Sequence, residues 1–522
     1  MTIKLPEHRK IVSNQEKEDV LLQERKRIEQ GGAEKYRQRV LEQNKLPVRE
    51  RLERLFDPNS LKEDGLFAEA LRSDLAADAM ISGLGKINGQ RVSFFASDPT
   101  VKAGSWGEKS VEKMLRAQEM AMKLKIPMLY MIDSAGGRIT DQIKIFPGRR
   151  NSGKIFYNQV KMSGMVPQIC INFGPSPAGS AYIPAFADVV IMVDKNASAY
   201  LGSTRMVEKA IGEKVTMEEM GGARLHCSKS GLGDILAKDE DDAIHKIKQY
   251  LSYMPGNYKE QPKVIAPAAP KTGRYLKEII PEDMYRPYDM YELIDRVVDE
   301  DSFFEIKKLF ASELIVGFAR FDGKVVGIVA NQPKVKGGTL FVDSADKGAR
   351  FITLCNAFNI PLLFLSDVPG YMVGSAVEKQ GIIRHGAKLI TAVSEATVPK
   401  ISVIVRKCYG AGLYAMCGPA FDPETVIALP SASIAIMGPE AAINAVYYNK
   451  IQELPEEERA AYVELKITEY SKDVDKYALA SELIIDEIIP YEQLREEVIE
   501  RFDYYASKDI TFGEKKVPVH PV

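Results

Sequence analysis

Residues 83–104, GLGKINGQRVSFFASDPTVKAG, and residues 317–338, GFARFDGKVVGIVANQPKVKGG, are two versions of one stretch, and this pair decides the fold. Their glycines stay in register, since Gly89 corresponds to Gly323, 234 positions later. The register continues into KIPMLYMIDSAGG in the first copy and NIPLLFLSDVPGY in the second. Chance similarity does not hold register over about 120 residues. The chain therefore contains an internal duplication.

Each copy repeats the same local pattern of strands, turns and helices. A β-branched or aromatic strand (VSFFAS or VVGIVAN) leads to a glycine turn and then to a stretch with helical spacing of apolar residues. Two buried apolar strands follow, PMLYMID and PQICINF in the first copy, PLLFLSD and PKISVIV in the second. Continuous apolar strands that alternate with helices predict an α/β fold whose strands are buried on both faces.

The pattern also predicts the limits of the domains. A helical N-terminal arm covers residues 1–60, the first domain 61–255, and the second domain 276–522. Residues 256–275, rich in proline and basic side chains, are predicted to be a linker. The second domain ends in a helical C-terminal arm, whose predicted apolar stripe contains Leu479, Leu483, Ile484, Ile488 and Ile489.

The composition of the 522 residues excludes several classes of function. Lys and Arg number 70 and Asp and Glu 72, a net charge of −2, which argues against a protein that coats nucleic acid or an anionic membrane. The five cysteines form no CxxC pair, and the five histidines are dispersed. We therefore expect no disulfide framework and no metal site, as in a protein of a reducing compartment.

One uncharged stretch, residues 162–187, has the length of a membrane span. It contains Pro167, Pro175, Pro177 and Pro184, and a spanning helix must satisfy its own backbone hydrogen bonds in lipid. The stretch is better explained as a buried strand, a glycine turn and a helix start. Because the N-terminus also lacks the apolar region of a secretory signal, we expect a cytoplasmic protein without membrane or nucleic-acid partners.

Two glycine turns are the candidate sites, GPSPAGSAY at 174–182 and CYGAGLY at 408–414. Each follows a buried strand and opens a helix, so its free N–H groups favour negative charge and can bind phosphate or an oxyanion. The alternative is close packing of helix on strand without a ligand. Asp133 and Asp367, which end the preceding strands, are predicted to cap the next turn.

These turns belong to longer segments that resemble a known family. The segments include PVRERLERLFD at 47–57, DSAGGRI at 133–139, GIIRHGAK at 381–388 and GAGLYAMCG at 410–418. Together they resemble the carboxyltransferase (β) subunits of biotin-dependent acyl-CoA carboxylases, the group of propionyl-CoA and methylcrotonoyl-CoA carboxylase. The resemblance extends over nearly the whole chain.

The resemblance implies two crotonase-like (ClpP/crotonase) domains and a homohexamer, in which each active site forms between the N-domain of one chain and the C-domain of another. It assigns the thioester oxygen of acyl-CoA to the N–H groups of Ala178 and Gly179, and the ureido oxygen of biotin to those of Ala411 and Gly412. The substrate-binding residues that it implies are Ser134, Ala135, Gly136, Gly137, Tyr182, Pro369, Gly370, Tyr371 and Tyr414.

The reaction implied by the resemblance transfers CO2 from carboxybiotin to the α or vinylogous γ carbon of a short or branched acyl-CoA through an enolate. Backbone amides hold both oxyanions, so no metal is expected in this subunit. Carboxybiotin comes from separate partners, a biotin carboxylase and a biotinyl carrier subunit. Two alternatives remain, a biotin-dependent decarboxylase α subunit (methylmalonyl-CoA or glutaconyl-CoA type) and a non-catalytic docking scaffold. The acyl group is open, because Tyr414 falls where propionyl-type members carry Asp.

Overall fold

A computed structural model gives the fold and describes residues 13–509, 515 and 519–521. The first twelve residues of the predicted N-terminal arm lie outside the described residues. The chain forms two compact units, one reaching to Ala223 and including Ala237–Lys248, the other made of Arg224–Leu236 and the chain from Gln249 onward. The predicted boundaries at residues 60, 255 and 275 remain predictions.

Both units contain α-helices and β-strands. The α-helices are α1 (Asn14–Glu29), α2 (Glu34–Glu42), α3 (Val48–Leu55), α4 (Glu108–Leu124), α5 (Gln142–Ile145), α6 (Ser152–Met162), α7 (Tyr182–Phe186), α8 (Thr204–Ile211), α9 (Met217–Gly221), α10 (Ala223–Leu225), α11 (Glu240–Tyr253), α12 (Leu276–Ile279), α13 (Met290–Val297), α14 (Val342–Ala357), α15 (Ser375–Gln380), α16 (Ile382–Glu395), α17 (Ala411–Ala415), α18 (Pro439–Val446), α19 (Tyr448–Glu453), α20 (Glu456–Asp473), α21 (Lys476–Ser481) and α22 (Leu494–Tyr504).

The strands are β1 (Lys62–Asp64), β2 (Met80–Ile87), β3 (Gln90–Ser97), β4 (Met128–Ile132), β5 (Gln168–Asn172), β6 (Pro175–Pro177), β7 (Val189–Val193), β8 (Ser198–Tyr200), β9 (Ile235–Ala237), β10 (Phe304–Ile306), β11 (Leu314–Phe321), β12 (Lys324–Asn331), β13 (Leu362–Val368), β14 (Lys400–Tyr409), β15 (Thr425–Ala428), β16 (Ser433–Ala435) and β17 (Glu487–Ile488).

The main sheets of the two units repeat one topology. In the first, β1, β2 and β3 are antiparallel neighbours, and β3, β4, β5 and β7 continue in parallel. In the second, β10, β11 and β12 are antiparallel, and β12, β13, β14, β15 and β17 continue in parallel. The duplication and the α/β class predicted from the sequence are therefore confirmed.

The parallel strands are buried on both faces, as the apolar runs predicted. Every residue of β4, β5 and β13 is buried. In the second unit, Leu363, Val403 and Ile427, one from each of three neighbouring strands, belong to one core cluster. In α/β sheets of this kind, ligands bind at the carboxyl ends of the strands. The two glycine turns lie at these ends.

The described part of the N-terminal arm is mostly helical, as predicted, whereas the predicted C-terminal arm is interrupted after Ser481 and contains the strand β17. Helix α1 is anchored by Ile28, which packs with Leu66, Leu75 and Val101 of the first unit. The proline-rich segment predicted as a linker has no helix or strand between residues 261 and 273. Its backbone at Ile265 donates to the carbonyl of Gly323, 3.1 Å away, so this stretch lies along the second unit. Among the described residues, no helix is both long and apolar enough to cross a bilayer.

Candidate active site

The first glycine turn connects β5 to α7 through the short strand β6 and a 3-10 turn at Ala178–Ala181. A hydrogen bond at the base of the turn holds its backbone, because the buried Ser176 hydroxyl donates to the carbonyl of Ser180, 2.8 Å away. Ala178 and Gly179 at the tip are exposed. The uncharged stretch thus forms the predicted strand, turn and helix start, and its tip faces solvent.

Ala178 adopts a left-handed backbone conformation with φ of 51°. This region costs an L-residue roughly 1–2 kcal/mol, and residues held there cluster at functional sites. Gly179 is different, since its φ is not positive and a Cβ added there would meet only the ring of Phe156, at 4.0 Å. There is therefore open space at Gly179, and close helix packing does not explain this glycine.

The loop after β4 lies against this turn. Ser134 donates its backbone N–H to Pro175 O at 2.9 Å, and a Cβ on Gly136 would come within 3.3 Å of Pro177. Ser134 itself is buried, and its hydroxyl donates to Gly104 O at 2.7 Å while accepting the N–H of Gly136. The serine hydroxyl therefore shapes the loop, whereas Ala135 and Gly137 are exposed.

A cavity of about 1110 Å³ opens beside the loop and the turn. Its walls include Ser134–Gly137 and Ala178, so the structure brings five of the predicted site residues together. The lining also includes Lys35 and Arg39 of α2, one helical turn apart on one face. Arg37, which lies between them in sequence, instead pairs with Glu34. Sequence reasoning missed Lys35 and Arg39, although their spacing in a predicted helix was visible.

Beneath the loop lies a buried cluster of charges. Asp133 accepts hydrogen bonds from Lys45 at 2.9 Å and from Arg51 at 3.1 Å, and Arg51 also binds Glu240 at 2.7 Å. Burial disfavours the charged form of Arg51, but the two carboxylates outweigh it and raise its pKa. Asp133 was predicted to cap a turn, and that prediction is wrong. Its carboxylate instead binds cations from the N-terminal arm.

The second glycine turn, between β14 and α17, has the same place in its unit. Gly410 has φ of 55° and ψ of −142°, a conformation that is essentially restricted to glycine. Ala411 is exposed, whereas Gly412 is buried. A Cβ on Gly412 would come within 3.0 Å of the Gly370 Cα and of Val368, so this glycine is required by the close approach of α17 to the loop after β13.

The loop after β13 contains three of the predicted residues, Pro369, Gly370 and Tyr371. Gly370 lies against Gly412, and Pro369 is exposed beside it. Burial raises the pKa of Tyr371, whose phenol keeps its proton and donates to Gly386 O at 3.4 Å. Tyr414 on α17 is 47% exposed, and its ring packs on Phe421.

Asp367 repeats the role of Asp133 in the second unit. Its carboxylate binds Arg406 at 2.8 Å and Lys407 at 3.4 Å, and both Asp367 and Arg406 are fully buried. The prediction that Asp367 caps a turn is wrong for the same reason.

Tyr182, the last predicted site residue, is the first residue of α7, where the first glycine turn ends. Its ring centre lies 6.1 Å from that of Phe156.

The chain matches the model of the carboxyl transferase domain over residues 39–519. It is 62% identical over 497 residues to an uncharacterized carboxylase, YngE, of Bacillus subtilis (strain 168), covering 95% of this chain and 97% of that protein. It is 37% identical over 511 residues to the methylmalonyl-CoA decarboxylase subunit alpha of Veillonella parvula, covering 96% and 98%.

The fold is similar to the crystal structure of transcarboxylase 12S, described as a hexamer assembly with methylmalonyl-coenzyme A and methylmalonic acid bound. The TM-score is 0.93 at 36% identity, with 99% of this chain and 100% of that chain covered. The resemblance inferred from the sequence is confirmed.

Proposed function

The chain belongs to the carboxyl transferase family, and from this premise we propose that it moves a carboxyl group between biotin on a carrier protein and the thioester of a short or branched acyl-CoA. The observation that carries this proposal is the cavity of the first unit, whose lining includes both the exposed tip of a glycine turn and two cations of α2. This combination suits a ligand that carries both a thioester and phosphates.

The size and charge of the cavity support acyl-CoA as the ligand. At about 1110 Å³ it slightly exceeds the usual range for small-molecule sites. Lys35 and Arg39 supply positive charge where the chain as a whole is near neutral. Charge-assisted hydrogen bonds to phosphate are among the stronger contacts that a side chain makes. We therefore assign the phosphate end of CoA to α2.

The N–H groups of Ala178 and Gly179 are proposed to hold the thioester oxygen. Both residues are exposed at the tip of a turn whose base is fixed by the hydrogen bond between Ser176 and Ser180. Donors that are fixed in advance stabilise the negative charge on this oxygen without reorganising during the reaction, and losing one typically costs about 10² to 10³ in rate.

The second turn is proposed to hold the ureido ring of biotin. Ala411 is exposed, Gly410 and Gly412 add no side chains, and apolar side chains of Tyr414 and Ile436 lie exposed near it. When bound there, biotin supplies the carboxyl group and a basic ureido nitrogen. The chain's own part is to orient the ring with backbone N–H groups, Ala411 and Gly412 being the proposed donors.

The proposed partners are a biotin carboxylase, a biotinyl carrier subunit and further copies of this chain in a homohexamer. Helix α8 supports an assembly, because none of its residues is buried while Met206 and Ile211 are 63% and 73% exposed. Large exposed apolar side chains on one helix are typical of interaction surfaces. In the hexamer, the acyl-CoA turn of one chain is proposed to face the biotin turn of another.

Reconstitution tests the proposal. The purified chain, combined with a biotin carboxylase, biotinylated carrier, ATP and bicarbonate, is expected to carboxylate one or more members of a panel that contains propionyl-CoA and 3-methylcrotonoyl-CoA. Absence of turnover on every short or branched acyl-CoA would contradict it. If the chain instead decarboxylates methylmalonyl-CoA or glutaconyl-CoA onto the carrier and shows no ATP-dependent activity, the decarboxylase alternative is correct.

A variant of α2 separates CoA binding from the rest of the reaction. Arg39→Gln is expected to raise KM for acyl-CoA roughly fivefold to tenfold with little change in kcat, because a phosphate contact binds substrate and transition state equally. Arg37→Gln on the same helix is the control and is expected to leave KM unchanged. An equal effect of both substitutions would contradict the assignment of α2.

A further inference from the structure

Arg138 directly follows the site loop Ser134–Gly137, and its guanidinium group is held in a pocket of polar atoms. It is 13% exposed and forms an ion pair with Asp78. It also donates to Ser105 O at 3.0 Å, to Ser105 Oγ at 3.2 Å and to Asp141 at 3.4 Å. The guanidinium therefore fixes the end of the loop, as the pair of Asp133 with Lys45 fixes its beginning.

Asp78, which pairs with this arginine, is a buried carboxylate with further hydrogen-bond partners. It is 1% exposed, and its carboxylate also accepts the backbone N–H of Ser110 at 2.6 Å and the Ser110 hydroxyl at 2.9 Å. Ser110 lies in the first turn of α4, so the carboxylate ties the loop to the beginning of a 17-residue helix. Removing one partner of such a buried pair leaves an uncompensated charge.

The duplicated fold does not need this ion pair. The positions equivalent to Asp78 and Arg138, 234 residues later, are Ser312 and Met372. The second unit nevertheless forms the corresponding backbone bridge, Leu340 with Tyr371, where the first pairs Trp106 with Gly137. Because the same loop closes without the ion pair in the second unit, the pair serves something particular to the first.

The Ser134–Gly137 loop is in direct contact with the first glycine turn. Ser134 N–H binds Pro175 O, and Gly136 packs on Pro177, the residue before Ala178. We infer that Arg138 is a positioning residue that, with Asp78, sets the gap between the Ser134–Gly137 loop and the Ala178 turn, and thereby selects the length of the acyl chain. This inference rests on the proposed function, since it concerns the acyl-CoA cavity.

The chain offers an internal reporter of this loop. Trp106 is its one tryptophan, is 3% exposed, accepts the N–H of Arg138 at 2.9 Å and donates its own N–H to Gly136 O at 2.8 Å. Its backbone is thus bonded to the loop on both sides of Gly137. A displaced loop is expected to change the environment of the indole and shift its fluorescence emission, whether or not the enzyme is active.

The test compares Arg138→Gln, Arg138→Lys and Asp78→Asn with the wild type in the complete reconstituted complex. The readout is the ratio of kcat/KM for propionyl-CoA to that for a longer acyl-CoA such as hexanoyl-CoA, because a loss of correctly folded enzyme cancels in this ratio. We expect Arg138→Gln and Asp78→Asn to change the ratio roughly fivefold or more, and Arg138→Lys to restore part of it. Arg138→Gln and Asp78→Asn are both expected to shift the Trp106 emission, measured on the purified chain.

Arg150→Gln is the matched control. Arg150 also pairs with two carboxylates of the first unit, Glu112 and Glu119, but is 49% exposed. Arg150→Gln is expected to leave both the ratio and the emission unchanged.

The inference is overturned if the variants lose activity equally on both substrates, or if the emission shifts while the ratio stays at the wild-type value. If Arg138→Gln does not fold, the isosteric Asp78→Asn, whose side chain tolerates the left-handed backbone of residue 78, decides the question alone. Failure of the proposed function is distinguishable, since it would appear as an inactive wild type.

Discussion

At the scale of single residues, the two glycine turns differ in what their glycines do. A Cβ on Gly179 would enter open space, with Phe156 as its nearest neighbour at 4.0 Å. A Cβ on Gly412 would come within 3.0 Å of Gly370 and Val368. The same motif therefore has an exposed glycine at the proposed thioester site and a packing glycine at the proposed biotin site.

This difference predicts opposite results for two substitutions. Gly179→Val is expected to lower turnover by roughly 10²-fold or more, because the new side chain lies at the oxyanion donors, while the midpoint of thermal unfolding stays within about 2 °C of the wild type. Gly412→Ala is expected to cost about 1–3 kcal/mol of stability through overpacking. Differential scanning calorimetry and the reconstituted assay measure both quantities.

The interpretation of the first turn would be contradicted if Gly179→Val kept wild-type turnover. A large fall in its unfolding midpoint would equally show that Gly179 is a packing residue. Gly412→Ala with unchanged stability would contradict the close approach of α17 to the loop after β13.

At the scale of elements, helices α4 and α14 are equivalent and each carries a buried lysine, Lys113 and Lys347, 234 positions apart. Lys113 donates to Ala77 O at 2.8 Å and Met80 O at 2.7 Å. Lys347 donates to Lys307 O at 2.9 Å and Phe310 O at 2.8 Å. In each unit, one helix thus holds the backbone that enters the antiparallel strands of its sheet.

The pH dependence of stability should reveal these lysines. Burial lowers the pKa of Lys113 and of Lys347 to about 8. Below pH 8 both are protonated in the folded and the unfolded chain, so the cost of burying the charge is fully present. Between pH 8 and 10.5 the lysines lose their protons in the folded chain but keep them in the unfolded chain. This deprotonation therefore adds stability as the pH rises.

Lys113→Met and Lys347→Met remove this contribution. At pH 7 each is expected to lose about 1–3 kcal/mol, because buried carbonyls lose their donor. The gap between wild type and variant is expected to widen between pH 8 and 10.5, by up to about 3 kcal/mol for each lysine. Urea unfolding at a series of pH values measures it, with the exposed Lys123→Met of α4 as control. A gap that stays constant with pH would contradict the lowered pKa values.

At the scale of the whole molecule, the proposed active site needs two chains. The acyl-CoA turn of one chain would face the biotin turn of another, as the proposed hexamer requires. When a site is built from two subunits, a subunit with a defective first turn and a subunit with a defective second turn can together form an intact site. Two such subunits cannot do so when each site lies within one chain.

Mixed assemblies test this arrangement. Gly179→Val and Ala411→Leu, each expected to be inactive alone, should regain up to about one quarter of wild-type activity when coexpressed in equal amounts, because random assembly pairs two intact turns in about one site in four. The control is each variant assembled only with itself. If mixed assemblies form and remain as inactive as the parents, the active site does not lie between chains.

The duplication, the buried strands and the helical N-terminal arm could be predicted because each leaves a periodic or repeated pattern along the chain. The predicted C-terminal stripe is wrong in part: α21 ends at Ser481, Leu483 is 87% exposed, and Ile488 lies in the strand β17. Apolar residues at helical spacing do not show where a helix ends and a strand begins. Tertiary pairing of β17 with β15 decided this segment.

The sequence by itself determined the fold class and the position of both glycine turns, because strand, turn and helix are encoded by neighbours in the chain. Tertiary structure alone decided which charges far apart in the chain meet. Lys45 reaches Asp133 across 88 positions and Arg138 reaches Asp78 across 60, and no local pattern announces either pair. The same holds for Gly412, whose need for glycine depends on Gly370, a neighbour only in the folded unit. Contacts between distant residues are created by packing, so their chemistry becomes visible only in three dimensions.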